Sequence, residues 1–560
     1  MGRCDRGERT AVKNAGLGLL VGVLVLGRVW LAPHESMAGD AFLDGMGTQW
    51  FYALPGWVLE GRSGLVHTDM LFYPWGKEVF LHTGGNLVDA LLAWPLRAVF
   101  GPILGYNLFV LGVFALNAFA GGRLASAFRI GRVGQGIAAV LFSLSPYFLV
   151  ELEQGRPTQA LAAFIALAFA ALLERRGLAA GLWLGLAGWT YWYAGVVAGT
   201  CAVLLLPIAL LEPGRRQTLV AWALAGVTCG LMVAPAAVPM LAGLGEGSVP
   251  GLLAVEQGRL LFQTVEGDSQ SLFVTDFLGQ AGVLSSGGFL VGARLLGPVQ
   301  LLAAVAGVVA LRRRSLPLLV LVVVGLIVGA GPQTGLYEGV AVEVGLLRRW
   351  WWPMRGTVVV HLAVAVLAAA AIARLSRAWP RRQLGLGIVL ALAWPLGHAP
   401  LSSWEAAFTG TSDCLAGAPE GAVIDLPLAK DQRHLWQQVG HGKPQLGGML
   451  SRKPSFGSKE VDALLRTNGF AEELVALGAG DFLRGGEELS GRSALIDLGY
   501  RYVLVRQQAY VRPSATGTRS DYPRLERALL NRLGPPASRD EGGDNALTLW
   551  TLDGTSLSCP

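Results

Sequence analysis

Apolar runs long enough to cross a bilayer recur along the first four hundred residues, and no other feature restricts the fold as sharply. They fall near 14–32, 104–125, 134–151, 158–174, 178–192, 193–211, 217–240, 293–311, 315–333, 356–374 and 383–400. A spanning helix needs about 17–25 residues, so the pattern predicts a mainly α, polytopic membrane protein of about eleven transmembrane helices. Two runs crowd together over 178–211, and "GWTYWYAG" between them reads as an interfacial aromatic belt. Composition agrees: 52% of the 560 residues are hydrophobic and 15% charged, against about 25% charged in ordinary soluble domains.

The arginines set the expected orientation. Arg3, Arg6, Arg9 and Lys13 precede the first run. Arg123, Arg129 and Arg132 follow the second, Arg175 and Arg176 the fourth, Arg215 and Arg216 the sixth. Arg312 to Arg314 follow the eighth, and Arg374, Arg377, Arg381 and Arg382 the tenth. All of them face the cytoplasm if the N-terminus does. That requires "NLVDALLAWPLRAVFG" (86–101) not to cross, and Asp89, Pro95 and Arg97 suit it to an amphipathic helix in the outer interface. The N-terminal run has a basic start but no clean small-x-small cleavage site, so it reads as an uncleaved membrane helix. The net charge of +6 therefore reflects orientation. Without zinc-finger spacing or a basic, aromatic-interleaved stripe, it gives no reason to expect nucleic acid as a partner.

Residues 1–400 then form a transmembrane domain with large outer loops at 33–103 and 241–292, and 401–560 form an extracytoplasmic α/β domain. In the latter, "GAVIDLPL", "YRYVLVRQ" and "ALTLWTL" read as strands, while "SKEVDALLRTNGFAEELVALG" and "YPRLERALLNRL" read as helices. Cys414 and Cys559 lie near the two ends of this domain, where an oxidising compartment permits a disulfide; two free thiols are the alternative.

Candidate chemistry concentrates in the first outer loop. "HESMAGDAFLDGMGTQWFYAL" places Glu35, Asp40 and Asp44 just after the first span, and Asp69 follows with His67, Glu78 and His82 nearby. A carboxylate at a membrane–water boundary can accept a proton from an attacking hydroxyl; taken singly, each also serves as a loop-end cap. His and carboxylates together admit a divalent ion, but no tight ligand spacing assigns a metal. Two arginines break the inside bias. Arg156 sits in a short outer turn beside Glu151 and Glu153, and Arg355 ends "LLRRWWWPMRG". Arginine grips phosphate through a planar fork, and snorkelling is the competing reading; for Arg348 and Arg349 snorkelling is preferred. Asp268 and Asp276 in the second loop and the Gly-rich "HGKPQLGGMLSRKP" (441–454) are further polar candidates, each also readable as a connector. No nucleophile elbow or phosphate loop is present.

The stretches "GDAFLDGMGTQW", "LFYPWGKE", "NLVDALLAWPLRAVFGPILGYNLF" and "FSLSPYFLVELEQGRPTQ" together resemble bacterial polytopic glycosyltransferases of the GT-C superfamily. "GAVIDLPL" and "LGYRYVLV" resemble the outer domain of a poorly characterised set within it. The resemblance implies transfer of a sugar from a polyprenyl-phosphate donor to a lipid, glycan or protein acceptor on the outer face of the cytoplasmic membrane, usually with inversion. It implies Asp40 as the acidic residue of the first loop and Glu151 or Glu153 as a second acidic position. It leaves metal use open, and "EQGRPTQ" departs from the turn expected there. A lipid-linked glycan flippase or export component without transferase activity is the competing class. Transporters place charge inside spans near the midplane, whereas these spans are nearly charge-free, with His361 the polar exception.

Overall fold

The computed structural model describes residues 4–40, 44–79, 86–245, 254–256, 259–261, 298–330, 335–344, 353–375, 401–428, 433–448, 459–479, 490–507, 522–540 and 546–559. Outside them lie the run 383–400, His82, Asp268, Asp276, Arg348 to Trp352 and the 449–454 end of the Gly-rich loop. The described chain divides into two compact units. One draws on 1–40 and 83–404, the other on 41–82 and 405–560. The first outer loop, a single segment in sequence terms, is thus shared, and its middle packs with the C-terminal part.

The first unit is helical. Helices occupy ten of the eleven apolar runs, and five of them are long and apolar enough to cross a membrane. Their outer faces carry exposed Leu20, Leu24, Leu231, Leu302 and Val309, the surface a lipid environment accepts. Their seams are lined by small residues. Gly177, Gly181 and Gly185 recur every fourth residue on the helix Gly177–Thr190. A methyl at the first two would fall within 2.6 Å of the helix Arg215–Gly245, and one at Gly307 would meet the Leu367 carbonyl at 2.0 Å. Without a hydrophobic drive between helices in lipid, such close backbone approach supplies the packing energy.

Leu87–Ala127 is sharply kinked. Gly101 takes φ +79°, ψ 171°, a region essentially reserved for glycine. The bend folds the helix back on itself, so that a methyl at Gly105 would lie 2.5 Å from the Arg97 Cα. Before the kink, Asp89, Ala90, Ala93 and Arg97 face the protein, while Leu91, Leu92, Val99 and Phe100 point out. The 134–151 run is also interrupted. Arg132–Ser143 ends before Pro146, and Pro146–Glu153 stops at Gly155 (φ +70°). Pro157 then opens a four-residue turn. Glycine closing a helix and proline opening the next is the normal asymmetry of helix ends.

The arginine clusters gather at one end of this unit. Arg123 pairs with Glu174 at 2.5 Å, Arg175 donates to the Pro213 carbonyl, and Arg374 reaches the Ala310 carbonyl at 3.4 Å. The opposite end holds Asn86, whose N–H donates to Thr190, and Leu401, whose N–H donates to Val25.

The second unit is built on a four-stranded sheet. Ala422–Leu426 runs parallel to Tyr500–Arg506, which pairs antiparallel with Leu547–Thr551, and that strand pairs with Ser538–Arg539. Residues 444–446 bond alongside Val423, and 70–73 bond to 445–447 in turn. The helix Gly45–Leu59 packs on Arg433–His441, where Trp50 Nε1 donates to Gln438 at 2.8 Å and Gln438 donates to the Met70 and Lys443 carbonyls. Its apolar side chains thus draw residues 41–82 to this unit. Burial, with Lys443 and Arg62 adding to it, pushes His441 down to about 3, so the neutral ring accepts the Lys443 N–H at Nδ1. Cys414 and Cys559 form a disulfide with Cα atoms 4.8 Å apart, joining a helix on the sheet to the C-terminal segment.

Arg506 and Asp425 form a buried pair on adjacent parallel strands, Nε to Oδ1 3.0 Å, and Arg506 also donates to the Pro427 carbonyl at 2.7 Å. Removing one partner strands the other charge, which costs about 3–5 kcal/mol. Arg506→Leu should therefore lower the denaturant midpoint for proteolytic release of the second unit, and Asp425→Leu with Arg506→Leu should recover much of that loss.

Candidate functional site

At the end of the helical unit opposite the arginine clusters, the chain leaving the first helix is held at successive points. Asn107, fully buried near the start of the second limb of the kinked helix, donates to the carbonyls of Pro33 (3.2 Å) and Ser36 (2.8 Å) and accepts from the Ala38 N–H (3.2 Å). Gly39 N–H then donates to Ser402 O at 2.9 Å, and Asp40 N–H to Glu153 O at 2.6 Å. Gly39 has φ +100°, and a methyl there would lie 2.7 Å from the Leu152 carbonyl. Only glycine permits that close approach. Asp40 is half-buried at the end of this track.

The interrupted helix supplies the surrounding polar groups. Glu153 accepts from Ser402 twice, from N–H at 2.9 Å and from Oγ at 2.5 Å. Glu151, wholly buried, faces Arg156 at 3.4 Å, and Arg156 also donates to Gln154. Thr158 in the following turn donates to the buried Asp89 at 2.5 Å, and Asn117 donates to the Ala160 carbonyl at 2.7 Å. A broken helix must have its released backbone groups paired by neighbours, and Asn117 does so for Ala160.

Arg355 lies above the Tyr191 ring, 5.5 Å from its centroid, and donates to its hydroxyl. Tyr193 packs edge-on to Tyr191 at 5.0 Å. The same helix that Arg355 precedes carries His361, whose Nδ1 lies 2.8 Å from Ser145 Oγ and whose ring is 5.9 Å from Tyr147. Tyr147 belongs to the same eight-residue helix that ends at Glu153. That helix is about 12 Å long at 1.5 Å per residue, and it runs from the His361 contact to the Asp40 contact.

The sequence candidates therefore separate. Asp40, Glu153, Glu151, Arg156 and Arg355 all lie in the helical unit, and Glu35 is exposed at the exit of its first helix. Asp44 and Asp69 belong to the second unit. Asp44 precedes Gly45–Leu59, its carbonyl accepting from Thr48 N–H and Oγ1; Asp69 is exposed. Nearby, His67 pairs with Glu78 at 2.9 Å. Among the described residues no group of three or more His, Cys, Asp or Glu is arranged to hold a metal ion. Sequence reasoning missed Asn107, Asp89, Thr158, Ser402 and Tyr191. The signal for the first was there: an amide, one of two, inside an otherwise apolar run.

These features define a polytopic, mainly helical protein. Its fold is similar to that of a solved enzyme. The cryo-EM structure of the arabinofuranosyltransferase AftD from mycobacteria superposes with TM-score 0.61 at 17% identity, covering 98% of this chain and 40% of that one. A mutant form of the same enzyme gives 0.56 at 17% identity, with 97% and 41% covered. The crystal structure of ArnT from Cupriavidus metallidurans aligns over 99% of both chains at TM-score 0.42 and 13% identity. This chain thus spans about two fifths of the length of the AftD structures it matches. No protein-family model matches the chain, and no curated protein matches it.

Gly39→Ala should cost about 1–3 kcal/mol through φ strain and the Leu152 contact. A lowered thermal midpoint of the purified chain, with faster amide exchange at Gly39 and Asp40 than elsewhere in the helical unit, checks this.

Proposed function

We propose that the protein is a membrane glycosyltransferase. It moves a sugar from a polyprenyl-phosphate donor to a lipid, glycan or protein acceptor at the outer face of the cytoplasmic membrane. The observation that carries this reading is the fixed, half-buried Asp40 at the end of a GT-C-type helical unit opposite its arginine clusters. Pentose and hexose donors are both compatible with it; the likeness to an arabinofuranosyltransferase puts a pentofuranose first in order of trial.

The reaction is a single displacement. The acceptor hydroxyl oxygen bonds to the anomeric carbon as the bond from that carbon to the phosphate oxygen breaks. Asp40 takes the hydroxyl proton, and the polyprenyl phosphate leaves with the bonding electron pair. Attack opposite the leaving group inverts the anomeric centre. Arg355, oriented by Tyr191, stabilises charge building on the departing phosphate. Arg156 is the second candidate for that role, and its pairing with the buried Glu151 ranks it behind Arg355. Glu153, which holds Ser402, supports the Asp40 track.

The test is turnover by purified membranes supplied with labelled polyprenyl-phosphate pentoses and hexoses. Asp40→Asn should lower transfer by about 100-fold or more, at or above the low end of the range for a lost general base, with the folded yield unchanged. Full activity in that variant would remove Asp40 from the mechanism. Orientation is checked separately by reporter fusions. A fusion after Arg132 should report from the cytoplasm, and one after the last residue should report from outside.

A further inference from the structure

We infer that Asn107 is a positioning residue for the reaction, acting through Asp40. This rests on the reading of Asp40 as the base.

The amide of Asn107 is buried on a largely apolar helix limb, and burying it is expensive unless it is paired. It is paired three times, and always to the backbone of one segment. Nδ2 donates to the carbonyls of Pro33 and Ser36, and Oδ1 accepts from Ala38 N–H. An asparagine amide has two donor hydrogens and one acceptor oxygen, so the two donors and the oxygen are all committed to residues 33–38. The two residues that follow are tied elsewhere, Gly39 to Ser402 and Asp40 to Glu153. Residues 36–40 therefore form a backbone track: Ser36–Ala38 pairs as a strand with the strand that begins at Ser403, and the track is tied by one anchor on the kinked helix and one on the interrupted helix. Glu153 and Ser402 hold its far end, and Asn107 holds its near end.

The consequence is specific. A general base must sit within hydrogen-bond reach of the proton it removes, and displacement of about 1 Å can cost on the order of 100-fold in rate. Asn107 touches no reacting atom in this reading. It sets where the Asp40 backbone begins its last turn into the site. Loosening it should leave donor binding nearly unchanged and slow the chemical step.

The experiment compares wild type, Asn107→Leu, Asn107→Asp and Asp40→Asn on the labelled polyprenyl-phosphate sugar that wild type turns over fastest. Asn107→Leu should lower kcat by about tenfold or more with donor KM within about twofold. It should also displace the acid limb of the pH–rate profile and speed amide exchange at 36–40 selectively. Asn107→Asp keeps the acceptor for Ala38 and loses both donations. It should fall between wild type and Asn107→Leu, and it serves as the test if the leucine variant does not fold. A kcat within twofold of wild type overturns the inference. So does a slow variant whose pH profile and exchange at 36–40 are unmoved. If Asp40→Asn keeps wild-type turnover, the base assignment itself fails and takes the inference with it. If Asp40→Asn is inactive while both Asn107 variants behave as wild type, the base assignment stands and only the role of Asn107 falls.

Discussion

A helix that breaks leaves backbone groups that must find other partners, and one end of the helical unit is organised around that constraint. Within the irregular stretch between Ser143 and Ala163, Gly155 and Pro157 end one helical piece and start the next. Around it gather a buried carboxylate on the kinked helix (Asp89), an amide on that helix's other limb (Asn117), an ion pair within the turn (Glu151 with Arg156) and the Ser402 backbone. Each group answers a pairing need, and together they assemble a polar rim on an otherwise apolar bundle. Asp40 is attached to that rim through its own backbone N–H. Polar pairing that the fold requires thus also fixes the backbone at Asp40.

The two ends of the helical unit differ in what they can do. One collects arginines whose partners are helix-end carbonyls and Glu174, an arrangement suited to anchoring and orientation. The other collects carboxylates, amides and the Tyr191–Arg355 pair. Asn107 and Arg123 lie on the same helical limb, roughly 24 Å apart at 1.5 Å per residue, so the two ends are separated by most of a hydrocarbon core of about 30 Å. The second unit follows different rules. It is held by a buried ion pair, by Gln438 linking three segments, and by a disulfide.

Much of this was legible in the residues. Helices occur at the apolar runs because a bilayer demands length and apolarity, and both can be counted. The strands of 422–426, 500–506 and 547–551 were readable from their unbroken apolar and β-branched content. Asp40 stood out by its place after the first run. What could not be read were the partners. Asn107 looks like one polar residue in a span, and nothing local says that it holds 33–38. Nothing local to Glu153 showed that its carboxylate would accept from Ser402, 249 positions away in the chain. The kink at Gly101 was marked only by "FGP", which is equally at home in a loop. The chain's hydropathy gave no sign that 41–82 would pack with the C-terminal segment, because the buried Trp50, Phe51 and Trp57 carry no local mark of the partner they pack against.

The sequence alone determined the class: apolar length sets a polytopic helical protein, and unbroken β-branched and apolar stretches set the strands near its C-terminal end. Each depends on local content, which a chain carries with it wherever it folds. Tertiary structure decided which polar groups meet. It brought Asn107, Gly39, Glu153 and Ser402 to one backbone track, left Asp44 and Asp69 in the other unit, and set Arg355 over Tyr191. Those pairings join residues tens to hundreds of positions apart, and they follow from helix packing at glycine seams and from the need to satisfy every buried donor and acceptor.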